Sequence, residues 1–196
     1  MRDFAGNFSA GVSPIGDSPW YTTKEEKERK PKMAIKNVPT LKDNEKANIN
    51  RNAIEHRATW MGLIFDEAKK AGLDPEAFCR KAIKRCGNIH GNNFKAACEN
   101  PEDMESFRAV FANDLGLATF EQEVTGCDHD NLKMEFHYCP LLSAWQKLGF
   151  DDETCAKLCD IAMDGDRGIA ESMGVKLDLT DTIAKGCPTC KLHFHK

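Results

Sequence analysis

The sequence predicts an α+β fold, an antiparallel sheet of about four strands packed against several helices, with a helical N-terminal half. Three observations carry this. Apolar residues recur at helical spacing between residues 42 and 113. Alternation with a period of two replaces that spacing in Leu132–Tyr138 and Cys190–His195. The turn-rich run Gly126-Cys127-Asp128-His129-Asp130-Asn131 then fits a hairpin between adjacent strands.

Residues 1–32 carry Gly6, Gly11, Pro14, Gly16 and Pro19 and the charged run Lys24–Lys30 without a sustained period, which predicts a flexible N-terminal arm. Its Phe4, Phe8, Trp20 and Tyr21 leave docking on the body or on a second subunit open. Residues 33–196 are expected to form a single domain, a size at which one core suffices. From Lys42 to Ala71, Ala47, Ile54, Ala58, Met61, Ile64, Phe65 and Ala68 follow the stripe of one long helix or two, stopped by Gly72. Asp74-Pro75-Glu76 opens a second helix, which Gly87 is expected to end. Asn100 caps a third over Pro101–Asn113. Strands follow at Leu117–Thr125 and Leu132–Tyr138, then helices at Pro140–Leu148 and about Asp152–Met173, the latter weakened by Gly165 and Gly168. Val175–Leu179 and Cys190–His195 complete the sheet.

Composition narrows the function. With 27 basic and 31 acidic residues and a net charge of -4, no broad basic surface for nucleic acid is implied. Apolar stretches such as Ala109–Ala112 fall far short of the ~20 residues a membrane helix needs, so no membrane partner is expected. Nine cysteines, an odd number, fit reduced thiols in a reducing compartment, and a cytoplasmic protein is the expectation. At least five of them should be buried apolar residues.

The sharpest local feature is His137-Tyr138-Cys139-Pro140. Pro140 suits the first position of a helix, which puts Cys139 at the cap beside free N–H groups and the positive dipole end. A thiol so placed is expected to have a lowered pKa, making Cys139 the best nucleophile or metal ligand, with His137 the nearest base. A cysteine packed at a strand–helix junction without chemistry has the same pattern. Cys187-Pro188-Thr189-Cys190 suits one divalent metal, a redox disulfide, half of a zinc site, or a plain turn; a strand after it disfavours the thioredoxin arrangement. Cys155 and Cys159 share a helix face and read as core, and His193 and His195 as solvent-facing. Among Asp160, Asp164 and Asp166, Asp160 is expected to face inward because it adjoins Cys159 and Ile161; a solvated face explains the run equally well, and its spacing excludes an EF-hand. Phosphate loops, dinucleotide fingerprints, Gly-x-Ser-x-Gly and His-Glu-x-x-His are absent from the sequence.

Phe136–Leu141, Leu158-Cys159-Asp160 and Gly186–Phe194 together resemble the L-2-amino-thiazoline-4-carboxylic acid hydrolase family, over roughly residues 50–194 and most closely after 130. The resemblance implies a small-molecule substrate and hydrolytic opening of a carboxylate-bearing 2-aminothiazoline ring. Cys139 or a metal-bound water would attack the ring carbon, while Cys190, His137 and Asp160 shape the site or move protons. Departures are the arm before Met33 and Leu192, where an aromatic is more usual. The terminal cysteine-then-strand pattern also looks like ligand-binding domains related to vinyl reductases. This leaves a rival reading, a sensor that holds a metal or small molecule without turnover, and a third, a scaffold with unreactive thiols. A homo-oligomer stays open.

Overall fold

A computed structural model of the chain describes residues 35–196; the arm expected over 1–32 lies outside them. Helix α1 spans Glu45–Lys70 in one piece. Asn44 caps it, its Oδ1 accepting the Ala47 N–H at 2.9 Å, and Ala47, Ile54, Ala58 and Phe65 form the buried stripe. Arg51 is buried on the same stripe. Its guanidinium donates to the carbonyls of Leu41, Ala118 and Thr119 and pairs with Glu121 at 3.0 Å. The order continues with α2 (Glu76–Ala97), α3 (Met104–Phe111), α4 (Asp114–Phe120), β1 (Gln122–Asp128), β2 (Asn131–Phe136), α5 (Pro140–Lys147), α6 (Asp152–Ala162), α7 (Asp164–Met173), β3 (Lys176–Leu179), a 3-10 turn (Ile183–Lys185) and β4 (Cys190–His195).

The four strands pair antiparallel in the order β1-β2-β4-β3, with a bulge between Val124 and Gly126. On one face Leu132, Met134, Cys190, Leu192 and Phe194 are buried against the helices, while Lys133 and Lys191 on the other are exposed. Phe194 meets Phe107 and Phe111 edge to face at 5.3 and 5.4 Å. Each fully buried large side chain of this kind contributes about 1.5–3 kcal/mol.

Asp103 rather than Asn100 caps α3, which begins at Met104, and the structure makes three larger corrections to the expected elements. The segment expected as a strand from Leu117 is helical to Phe120, and β1 begins at Gln122. Asn113 caps α4 by accepting the Gly116 N–H, and Arg51 holds the carbonyls at the helix end. Glu121 makes the turn in a left-handed conformation at φ 50°. Bonds to its carboxylate from Thr40, Leu41 and Arg51 fix a geometry that a non-glycine residue otherwise avoids.

Second, Gly87 does not end α2, which runs on to Ala97. A Cβ on Gly87 would lie 2.1 Å from the Gly165 carbonyl oxygen, and one on Gly168 would lie 2.5 Å from that of Lys84. These glycines permit the backbones of α2 and α7 to touch. Third, the helix expected over Asp152–Met173 is two helices that turn at Met163. Asn88 secures the crossing by donating to the Gly168 carbonyl and Ser172 Oγ.

Candidate functional site

Cys139 occupies the N-cap of α5 with Pro140 next, as the sequence predicts. Asn37, 102 residues away in sequence, fixes its backbone from both sides. The Cys139 N–H donates to Asn37 Oδ1 at 2.9 Å, and Asn37 Nδ2 donates to the Cys139 carbonyl at 2.8 Å. Cys139 is half-buried, and Cys159 on α6 and Cys190 at the start of β4, 5% and 6% exposed, are near enough that their thiols feel its charge. Ionising any of these three thiols disfavours ionisation of the others. The Ile183 N–H, on the 3-10 turn, donates to Cys190 Sγ at 3.3 Å. Asp166, in the first turn of α7, is the carboxyl that acts on all three sulfurs.

The protonation state differs from expectation. Burial pushes the Cys139 thiol up to about 11, although the N–H groups of Leu142 and Leu141 and the Arg57 cation pull it down. The helix terminus is present, but desolvation outweighs it. Burial likewise drives Cys190 to about 12 and Cys159 higher still. Asp166 is raised to about 6, again by burial, against the opposing charges of Arg167 and Arg57. The cluster therefore rests as three protonated thiols beside one carboxyl that titrates near neutrality. Such a carboxyl can take or give a proton at physiological pH.

The other expected residues sit elsewhere. His137 is exposed beside Glu123, Nε2 to Oε2 3.6 Å. Asp160 faces a charged network rather than the thiols. Burial alone would raise its pKa, but bonds from Arg80 at 2.6 Å and Arg167 at 2.9 Å hold the carboxyl below the usual range. Since Arg80 lies on α2 and Arg167 on α7, Asp160 ties those helices to α6. A cleft of about 280 Å³, counting space open to solvent, is lined by Asp160 and Arg167 of this network together with Met163, Thr182 and Lys185. Cys139 does not line it. Cys187 is half-buried on the turn before β4, near enough that its ionisation opposes that of Cys190.

All nine cysteines are free thiols. Cys79, Cys155, Cys159 and Cys190 are fully buried, four rather than the five or more expected, and Cys86 is exposed. Among the described residues, no helix is long and apolar enough to cross a membrane. Sequence reasoning missed Asn37, which no local pattern marks, and preferred Asp160 to Asp166.

A family model described as L-2-amino-thiazoline-4-carboxylic acid hydrolase matches residues 51–194, which include all three thiols of the cluster and Asp166. No curated protein and no solved structure matches the chain.

Proposed function

Because the chain belongs to the L-2-amino-thiazoline-4-carboxylic acid hydrolase family, we propose that it hydrolyses a 2-aminothiazoline-4-carboxylate or a related cyclic amidine, with Cys139 as nucleophile and Asp166 as the proton carrier. The observation that carries this reading is the pairing of a half-buried thiol at a helix N-terminus with a carboxyl raised to about 6.

The resting thiol lacks a buried cation to stabilise its ionised form, and a protonated amidine is such a cation. Substrate binding thus supplies the charge that lowers the Cys139 pKa, and Asp166 accepts the released proton. Cys139 Sγ bonds to the amidine carbon, the ring carbon–sulfur bond breaks, and Asp166 returns the proton to the departing sulfur. Water then adds to the same carbon with Asp166 as base. Expulsion of Cys139 leaves a urea, with the enzyme thiol reprotonated. The N–H groups of Leu141 and Leu142 favour negative charge on Sγ at both steps. Arg57, an exposed cation felt by both Cys139 and Asp166, is the group on hand for the ring carboxylate.

Cys190 and Cys159 form the floor of the site. Asp160 acts through position, holding α7 and with it Asp166. The sensor reading rests on a specific observation too: Cys187 adjoins the thiol cluster, so Cys187 and Cys190 remain the chelating pair for a divalent metal.

Turnover of authentic 2-aminothiazoline-4-carboxylate by the wild type, Cys139→Ser and Asp166→Asn tests the proposal. The expected result is loss of turnover to background for Cys139→Ser and a fall of about 10²–10⁴-fold for Asp166→Asn. Full activity in Cys139→Ser would refute the nucleophile. A metal bound through Cys187 and Cys190, with no ring opening of any cyclic amidine, would favour the sensor.

A further inference from the structure

The outer face of the sheet carries a second cluster, remote from the thiols because β4 turns Cys190, Leu192 and Phe194 to the core and His193 and His195 to the other side. Asp178 on β3 is the register partner of His193. One ligand atom from each of Asp178, His193 and His195 lies within 4.8 Å of the other two, and the imidazole rings are 4.7 Å apart. Since β4 is paired on both sides, by β2 and β3, the backbone holding the two histidines is fixed.

The hydrogen-bond partners of the rings decide which nitrogens are available. His195 Nδ1 faces the Lys196 main-chain oxygen at 3.0 Å, an acceptor, so Nδ1 carries the proton and Nε2 of the neutral ring keeps its lone pair. That lone pair points at Asp178 Oδ2, 3.1 Å away and also an acceptor. A metal ion between that lone pair and the carboxylate turns the contact into an attraction. His193 repeats the pattern. Its Nε2 donates to Asn131 Oδ1 at 2.9 Å, which leaves Nδ1 as the free donor of an electron pair. Orientation of each ring by an outer acceptor is what metal-binding histidines have.

We infer that Asp178, His193 and His195 bind one divalent transition-metal ion of the borderline class that prefers imidazole with carboxylate, such as zinc, cobalt or nickel. Water completes the coordination. The ion joins the edge strand β3 to the central strand β4. Lys133 and Lys176, the register partners of His193 and His195, oppose the added charge and moderate the affinity.

Cobalt(II) titration of the reduced protein tests this, because its absorption separates nitrogen and oxygen ligation from thiolate ligation. One equivalent should bind with visible ligand-field bands and without the near-ultraviolet sulfur-to-cobalt charge-transfer band. That equivalent should persist in Cys187→Ser/Cys190→Ser. It should weaken at least about tenfold in His195→Ala and in His193→Ala, and about 10–100-fold in Asn131→Ala, which removes the outer partner of His193 together with a bond to Asp128 in the hairpin turn. Equal urea midpoints for the metal-free variants establish that they fold. Cobalt bound as tightly by His193→Ala/His195→Ala as by the wild type, or bound wholly through sulfur, would overturn the site. So would the absence of saturable binding.

Discussion

Gly87→Ala puts a methyl group where α2 and α7 touch. Its Cβ would lie 2.1 Å from the Gly165 carbonyl oxygen, 2.8 Å from that residue's carbonyl carbon and 2.9 Å from its Cα. All three are backbone atoms, so no rotamer change relieves the clash, and the helices must separate by about 1 Å in a close-packed interior. Overpacking of this kind costs about 1–3 kcal/mol, and the absence of a flexible neighbour puts Gly87 at the upper end. Alanine returns about 1 kcal/mol through its better helix propensity. The net loss is about 2 kcal/mol, a fall in the urea midpoint of about 1 M for a slope of about 2 kcal/mol/M. Gly116→Ala is the control, because the nearest atom to its Cβ is 3.6 Å away, an ordinary contact. Here propensity acts alone and the midpoint should rise. Asp166 lies in the first turn of α7, so Gly87→Ala should also lose more activity than Gly116→Ala. A Gly87→Ala midpoint at or above the wild type would refute the close-crossing argument.

Two further perturbations address the site. Burial raises Asp166 from 3.8 to about 6 in the folded chain, so the folded state binds more protons than the unfolded state between those values. Stability from this group is full below about 3.8 and is lost as pH rises to about 6, by up to about 3 kcal/mol. Asp166→Asn should therefore raise the urea midpoint at pH 8 much more than at pH 4 while abolishing the limb of kcat/KM near pH 6; an equal shift at both values would contradict the burial. Asn37→Ala removes both bonds that hold the Cys139 backbone. An unsatisfied partly buried group costs about 1–3 kcal/mol, and activity should fall further than stability does. A variant with wild-type turnover would show that the clamp does not position the thiol.

Much of the fold was legible because local signals and tertiary contacts agree there. Cys190–His195 alternates cleanly and is a strand over that span, and Asn44 caps α1 as a polar residue ahead of a helical stripe. Errors arose where a distant partner overrides the local pattern. Arg51 captures the carbonyls at the end of α4, so a segment rich in strand-forming residues is helical. Gly87 and Gly168 read as helix breakers because their reason for being glycine is the facing helix. The cap pattern placed Cys139 at the N-cap of α5, where the structure has it, but the pKa direction depended on burial, which the dipole argument did not contain. Asn37 and Asp178 became visible only through contacts between residues far apart in sequence.

The account depends on covalent bonding between Cys139 and the amidine carbon, and intact-protein mass spectrometry of Asp166→Asn mixed with 2-aminothiazoline-4-carboxylate measures it directly. At pH 8 the bound amidinium lets bulk solvent take the Cys139 proton in place of Asp166, whereas the water step has no substitute base, so the predicted spectrum shows a single adduct of the whole substrate mass on Cys139, absent from Cys139→Ser/Asp166→Asn. Slow turnover by Asp166→Asn with no adduct, or an adduct on a different cysteine, would contradict the account.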